Sequence, residues 1–222
     1  MPKSGIATLS IFVADGAGSA KRGGQGAEYA IEAAASFLVT KLAEREIALS
    51  DEFAVECIGA VRDRIGSAAS QENLAARDFA CTFLGLISSK NGTLIFQIGD
   101  GGIVIDVGNG LEIPIVPMSG EYANMTNFVT DENAVGVLVT KTFTQPALRV
   151  AAFSDGIQRL AMNMADNTAH EPFFTPKFDI LSRASIEQEE QVRVALESFL
   201  NSEAVNERTD DDKTLALAVF VP

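Results

Sequence analysis

The sequence predicts an α+β fold in which two antiparallel β-sheets pack face to face with helices on the outside. Apolar, partly β-branched segments come in groups that are separated by short turns, as the strands of antiparallel sheets do. Helical periodicity is confined to one block before residue 71 and one after residue 155, whereas a doubly wound parallel sheet would alternate strands with helices. The number of predicted strands is too large for a single sheet with helices on one face only, so two sheets are expected.

The first third of the chain predicts one strand and two helices. Residues 6–14 are apolar and end at Asp15-Gly16, which is typical of a buried strand. A glycine-rich turn follows, and residues 27–45 carry apolar side chains at helical spacing. Ser50 is a favourable N-cap with two acids behind it, so a second helix is expected over residues 51–70.

The middle of the chain predicts an antiparallel meander of four strands, and Asn91-Gly92 is its strongest hairpin signal. The four strands are expected at residues 79–88, 93–98, 103–107 and 111–116. Further strands are expected near residues 126–130, 136–143, 147–153 and 214–221. Helices are expected over residues 156–165, 176–184 and 187–201.

Length and composition favour one domain that spans residues 1–222. The chain has 222 residues, of which 47% are hydrophobic, so it can bury a substantial core. It has no internal repeat, no low-complexity linker and no break in composition. A run of 18 apolar residues and a secretory leader are both lacking in the sequence, so we expect a cytoplasmic protein without a membrane partner.

Charge and residue usage exclude several classes of function. The net charge is −13 and no Lys/Arg run is longer than Lys21-Arg22, which disfavours nucleic acid as a partner. A single histidine excludes HExxH zinc sites and disfavours a histidine-based triad. Two cysteines, Cys57 and Cys81, cannot form a disulfide framework and are typical of small buried side chains.

Aspartates stand where apolar strands end. Three Asp-Gly dipeptides, at residues 15, 100 and 155, each follow an apolar segment, and Asp210–Asp212 precedes the last one. Carboxylates at strand ends can converge at a sheet edge, and glycine lets the backbone approach closely. Converging oxygen ligands suit Mg²⁺ or Mn²⁺. Asp-Gly is also ordinary turn chemistry, and the residues alone leave both interpretations open.

The segments around these acids resemble the motifs of the protein phosphatase 2C family of metal-dependent Ser/Thr phosphatases. The matching segments are Phe12–Ser19 for the first metal motif, Phe96–Gly101 for the Gly-Asp motif, Phe153–Gly156 for the Ser-Asp-Gly motif and Asp211–Thr214 for the C-terminal Asp-Asn-x-Thr motif. Residues 120–130 resemble a segment of a divergent bacterial branch. The motifs follow the family's order and cover nearly the whole chain.

The resemblance implies a four-layer αββα sandwich with a binuclear Mn²⁺ or Mg²⁺ centre. Carried over residue by residue, Asp15 would bridge both metals and the carbonyl of Gly16 would bind the second. Asp155 and Asp211 would complete the shell of the first metal, and Asp100 would help to hold a weaker third one.

The resemblance also implies an activity in bacterial signalling. A metal-bridging hydroxide would attack the phosphorus of phosphoserine or phosphothreonine, so Asp15, Asp155 and Asp211 are the expected catalytic residues. The partner would be a phosphorylated protein, and a cognate Ser/Thr kinase is a further candidate partner.

The chain departs from the family's pattern in two places. Ala17 stands where many eukaryotic members have a histidine, so metal-bound water would have to protonate the leaving group. The family's first block, with a phosphate-binding basic residue, has no match, because Lys3 is the only charged residue before Asp15. We therefore expect a truncated N-terminus and a strand at residues 6–13 with one unpaired edge. A catalytically weak or inactive regulatory or binding module with the phosphatase fold is the alternative.

Overall fold

The computed structural model describes residues 7–44, 47–117 and 126–220, and it confirms the α+β class with antiparallel sheets and helices. The chain divides into two compact units. The first contains Met1–Gly101 and Pro117–Pro146, and the second contains Gly102–Val116 and Ala147–Pro222. The expectation of a single domain over residues 1–222 stays a prediction. Among the described residues, no helix has both the length and the apolar character needed to span a membrane.

The first unit is a four-stranded antiparallel sheet with two long helices packed on it. Its strands lie in the order β1-β2-β3-β5. Their bounds are Thr8–Val13 for β1, Phe83–Ser89 for β2, Gly92–Ile98 for β3 and Val139–Phe143 for β5. The helices are α1, Gly23–Glu44, and α2, Asp51–Gln71.

Local sequence explains both helices. The side chain of Ser50 accepts a hydrogen bond from the backbone N–H of Phe53, so α2 begins where the N-cap signal predicts. The buried stripe of α1 consists of glycines and alanines, with Leu38 at its end, and such small residues let this helix lie close to its neighbours. Both helices share one core with the aromatic side chains of β2 and β3, among them Phe83 and Phe96.

Strand β1 lies at the edge of this sheet. Within the described part of the chain it pairs with β2 alone, from Thr8 opposite Ser89 to Val13 opposite Leu84. The expectation of a strand with one unpaired edge stays a prediction, because it depends on more than the residues that the structure describes. Lys3 lies outside those residues.

The second unit is a three-stranded antiparallel sheet, in the order β4-β6-β9, with helices packed on it. The strands are Gly102–Asp106 for β4, Arg149–Phe153 for β6 and Leu215–Val219 for β9. The helices are Gln158–Ala161 for α3, Glu171–Arg183 for α4, Glu189–Leu200 for α5 and Glu203–Asn206 for α6. Two short strands, β7 at Met162–Asn163 and β8 at Thr168–Ala169, form a separate ribbon.

The predicted four-stranded meander is wrong. Strands β2 and β3 form the expected hairpin, but β4 pairs with β6, so the chain leaves the first sheet after Ile98. Residues 111–116 contribute only one bridge, between Ile105 and Glu112, because Pro114 has no N–H to offer a ladder. The strand predicted at residues 126–130 is a loop, and the helix predicted at residues 156–165 is reduced to the short α3.

Asp106 fixes the turn that follows β4. Its carboxylate accepts hydrogen bonds from the backbone N–H of Gly108 at 2.7 Å and of Gly110 at 3.1 Å, and it pairs with Arg149 at 2.5 Å. Burial acts to raise the pKa of this carboxyl, but these hydrogen bonds outweigh burial and hold its pKa below the usual value. Because the folded-state pKa is lowered, the stabilisation is present above the unfolded pKa and is lost as the pH falls through the folded pKa.

Replacing Asp106 with asparagine should lower the free energy of unfolding at pH 7 by about 2 kcal/mol, since the charged hydrogen bonds to Arg149 and the turn are lost. The difference between wild type and variant should shrink below about pH 4, where the unfolded carboxyl takes up its proton. Urea denaturation over a pH series measures this. Asp63→Asn, at an exposed position on α2, is the control and should show no such pH-dependent difference.

Candidate functional site

The first unit holds Asp15 firmly at the end of β1. The backbone N–H of Asp15 donates to Thr82 Oγ1 at 3.1 Å, and the N–H of Thr82 donates to the carbonyl of Asp15 at 2.8 Å. Thr82 is buried, so this two-way link is shielded from water. The backbone of the predicted bridging ligand is thereby tied to the chain just before β2.

Gly99, which precedes Asp100 at the end of β3, lies against the same buried threonine. Gly99 has a φ of +113°, and a Cβ added there would lie 2.5 Å from the methyl carbon of Thr82. Only glycine meets both conditions. The carboxylate of Asp100 accepts a hydrogen bond from Thr126 Oγ1 at 2.6 Å. Thr82 thus lies against both predicted ligand segments of this unit, Asp15 and Gly99-Asp100.

Gly16 allows a close approach between the end of β1 and the start of α1. A Cβ on Gly16 would lie 2.3 Å from the backbone carbon of Gly23 and 2.5 Å from the nitrogen of Gly24. Gly16 also forms an isolated bridge with Cys81. Any side chain at this position would push the loop with the predicted carbonyl ligand away from the helix.

Cys81 lies beside the same loop but is not a nucleophile. Burial, and after it the negative charge of Asp15, raises the pKa of the Cys81 thiol to about 12. A thiol that stays protonated at neutral pH cannot attack phosphorus or bind a metal as thiolate. The structure agrees with the prediction that this cysteine is a small buried side chain.

The second unit brings together the Ser-Asp-Gly segment and the acids before β9. Ser154 Oγ donates to the carbonyl of Asp212 at 3.2 Å and accepts from the N–H of Thr214 at 3.1 Å. A Cβ added at Gly156 would lie 2.1 Å from the carbonyl oxygen of Asp212 and 3.4 Å from the Cβ of Asp211. Asp155 and Asp211, the predicted ligands of one metal, therefore belong to backbone segments in direct contact.

The donor set suits a hard divalent cation, since all the predicted ligand atoms are carboxylate or carbonyl oxygens. Asp15 and Asp100 lie in the first unit, and Asp155 and Asp211 lie in the second. Over residues 7–44, 47–117 and 126–220, no group of three or more His, Cys, Asp or Glu side chains is arranged to hold a metal ion. The assignment of Asp15, Gly16, Asp100, Asp155 and Asp211 as ligands stays a prediction.

Sequence reasoning missed the residues that hold the acids in place. Thr82 and Thr126 carry no motif signal, and each acts on a residue far away in the sequence. Ser154 lies inside a recognised motif, yet its two hydrogen bonds to the chain before β9 follow only from the strand pairing of β6 with β9. Most of the segment at residues 120–130 lies outside the described residues, which resume at Thr126.

A family model described as protein phosphatase 2C matches residues 3–201. The chain belongs to this family. The resemblance to that family is therefore confirmed.

Several named proteins and solved structures are similar to this chain. The chain is 57% identical to serine/threonine-protein phosphatase 3 of Escherichia coli (strain K12) over 212 residues, which is 96% of this chain and 84% of that protein. The S. agalactiae serine/threonine phosphatase matches with a TM-score of 0.63 at 15% identity, over 96% of this chain and 87% of that one. PppA of Pseudomonas aeruginosa, described as a regulatory component of T6SS, matches with a TM-score of 0.57 at 16% identity, over 97% of this chain and 90% of that one. These structures share the fold.

Proposed function

We propose that this chain is a metal-dependent protein Ser/Thr phosphatase that hydrolyses phosphoserine and phosphothreonine. The observation that carries the proposal is the 57% identity to a serine/threonine-protein phosphatase over nearly the whole chain. The positions of the acids support it, because Asp15, Asp100 and Asp155 each follow a strand by two residues. Asp212, the neighbour of Asp211, accepts a hydrogen bond from the buried Ser154.

Asp15, Gly16, Asp155 and Asp211 are the residues proposed to hold two divalent cations, Mn²⁺ or Mg²⁺, and Asp100 is proposed to serve a weaker third one. When bound, the cations would lower the pKa of a water molecule and neutralise charge on the phosphoryl group. The carboxylates contribute the charge that binds the cations. Thr82 and Ser154 keep the ligand backbones in place, so little reorganisation is needed when a cation binds.

Neither Cys81 nor Ala17 offers a competing reactive group. The thiol of Cys81 is protonated, and Ala17 has no group that could donate a proton to the leaving oxygen. A phosphorylated protein is the proposed substrate, and a Ser/Thr kinase that modifies the same proteins is a proposed functional partner. The cytoplasmic location expected from the sequence is part of this proposal.

The alternative proposal is a weak or inactive module with the phosphatase fold. The two functions differ in a simple way. A phosphatase turns over once metal is supplied, whereas a module does not.

Removing divalent metal should abolish hydrolysis of p-nitrophenyl phosphate and of a phosphothreonine peptide, because the water then keeps its ordinary high pKa. We expect chelator to reduce release of phosphate to background and added Mn²⁺ or Mg²⁺ to restore it. Phosphate release is measured with and without metal on the same protein sample. Hydrolysis that persists in chelator would contradict the metal-dependent mechanism. A protein that releases no phosphate even with added metal would be the inactive module.

A further inference from the structure

We infer that Arg62, in the middle of α2, is a positioning residue that holds the loop of residues 126–131 against Asp100. The inference rests on the proposed function and deepens it, since Asp100 is the proposed ligand of the weaker metal. No sequence motif contains Arg62, and its role follows only from contacts across more than 60 positions in the chain.

Arg62 joins a helix to a loop through backbone carbonyls. Its Nη1 donates to the carbonyl of Val129 at 2.6 Å and to that of Asp131 at 2.5 Å. Arg62 itself is half-buried, and Val129 is fully buried. Hydrogen bonds with one charged partner are stronger than neutral ones, so this contact is well suited to fix a loop that lacks regular secondary structure.

The loop of residues 126–131 has internal hydrogen bonds, and it is also hydrogen-bonded to the segment that precedes β2. The N–H of Phe128 donates to Asp131 Oδ2 at 2.8 Å, and the N–H of Asp131 donates back to the carbonyl of Phe128 at 3.1 Å. The N–H of Val129 donates to the carbonyl of Cys81 at 3.0 Å. The loop therefore lies between α2 on one side and the residue next to Thr82 on the other.

The near end of the same loop contacts Asp100. Thr126 Oγ1 donates to Asp100 Oδ2 at 2.6 Å, and the carbonyl of Asn127 would lie 3.4 Å from a Cβ added at Gly99. A shift of this loop would move the hydroxyl of Thr126, which orients the carboxylate of Asp100. Arg62 thus acts on Asp100 through Val129 and Thr126, without touching it.

The first test measures the loop itself, without metal. Arg62→Ala should speed hydrogen exchange of the amides of residues 126–134 by about tenfold or more, because local opening then costs less. Arg62→Lys should keep part of the protection, since an ammonium group can still donate to carbonyls. Arg64→Ala is the matched control, because this arginine of the same helix stacks on Tyr29 and contacts Glu32 instead. Unchanged exchange in Arg62→Ala would overturn the inference.

The second test measures metal binding. Titration of Mn²⁺ followed by electron paramagnetic resonance should show about tenfold weaker binding at the weakest site in Arg62→Ala, the size expected for loss of a group that orients a ligand. Thr126→Val should have a similar effect. Thr140→Val removes an equally short hydroxyl–carboxylate bond, to Asp51, and is expected to leave Mn²⁺ binding unchanged.

The double variant decides whether the two residues act in one path. If Arg62 works through Thr126, the Mn²⁺ affinity of the Arg62→Ala, Thr126→Val double variant should lie within about twofold of the affinity of either single variant. Effects that multiply would overturn the inference. An active, Mn²⁺-binding wild type with unchanged affinity in Arg62→Ala would overturn this inference alone, whereas a wild type that binds no Mn²⁺ would overturn it together with the proposed function.

Discussion

Replacing Asp15 with asparagine should lower kcat/KM for a phosphothreonine peptide by about 1000-fold, measured at saturating Mn²⁺. Asp15 is the residue proposed to bridge two cations, so losing its charge weakens both metal sites at once. A 1000-fold loss corresponds to about 4 kcal/mol of transition-state stabilisation. That is the largest effect we expect from any single substitution at the proposed centre.

The variant should still fold, which makes the result interpretable. Asp15 takes part in the fold through its backbone, whose N–H and carbonyl bond to Thr82, and asparagine keeps the same backbone and nearly the same shape. Thermal unfolding of Asp15→Asn and wild type should therefore differ by only a few degrees. Asp63→Asn on the exposed side of α2 is the charge-matched control and should keep full activity. Metal-dependent turnover that survives in Asp15→Asn would remove this residue from the proposed centre.

Elements with strong local signals could be predicted from the sequence. Helix α2 begins at its predicted N-cap, since Ser50 bonds to the third residue of the helix. The β2–β3 hairpin turns at Lys90-Asn91, one residue before the predicted Asn91-Gly92, and Gly92 pairs with Ser89 at a φ of +127°. These features depend on a few neighbouring residues, and so does the family resemblance, because each of its motifs is a short segment.

Features that depend on distant pairing could not be predicted. The sequence gives no sign that β4 pairs with β6 across more than 40 positions rather than with β3, which directly precedes it. The hydrogen bonds between Asp15 and Thr82 and from Arg62 to the loop are of the same kind, since each spans 67 positions or more. The acids could thus be recognised by type and position, whereas the residues that hold them required the fold.

Gly156→Ala should lower kcat/KM by about 100-fold and shift the Mn²⁺ dependence to higher concentration. A Cβ at this position would lie 2.1 Å from the carbonyl oxygen of Asp212, so the backbone of Asp211 and Asp212 would have to move by roughly 1 Å. Asp211 is a proposed ligand, and displacements of that size at a reacting centre cost about two orders of magnitude in rate. The backbone at Gly156 does not have a positive φ. The expected loss of activity therefore comes from the contact between the added Cβ and Asp212, and not from backbone strain at residue 156.

Gly66→Ala in α2 separates this contact from a general effect of adding a methyl group. Nothing lies within 4 Å of a Cβ at Gly66, and alanine favours a helix over glycine by about 0.5–1 kcal/mol, so this control should be slightly more stable and fully active. Urea denaturation and steady-state kinetics on both variants give the comparison. The Mn²⁺ concentration for half-maximal rate should rise in Gly156→Ala and stay constant in Gly66→Ala. A Gly156→Ala protein with wild-type kinetics would mean that the Asp211-Asp212 segment can shift without consequence, and Asp211 would then be an unsuitable choice as a metal ligand.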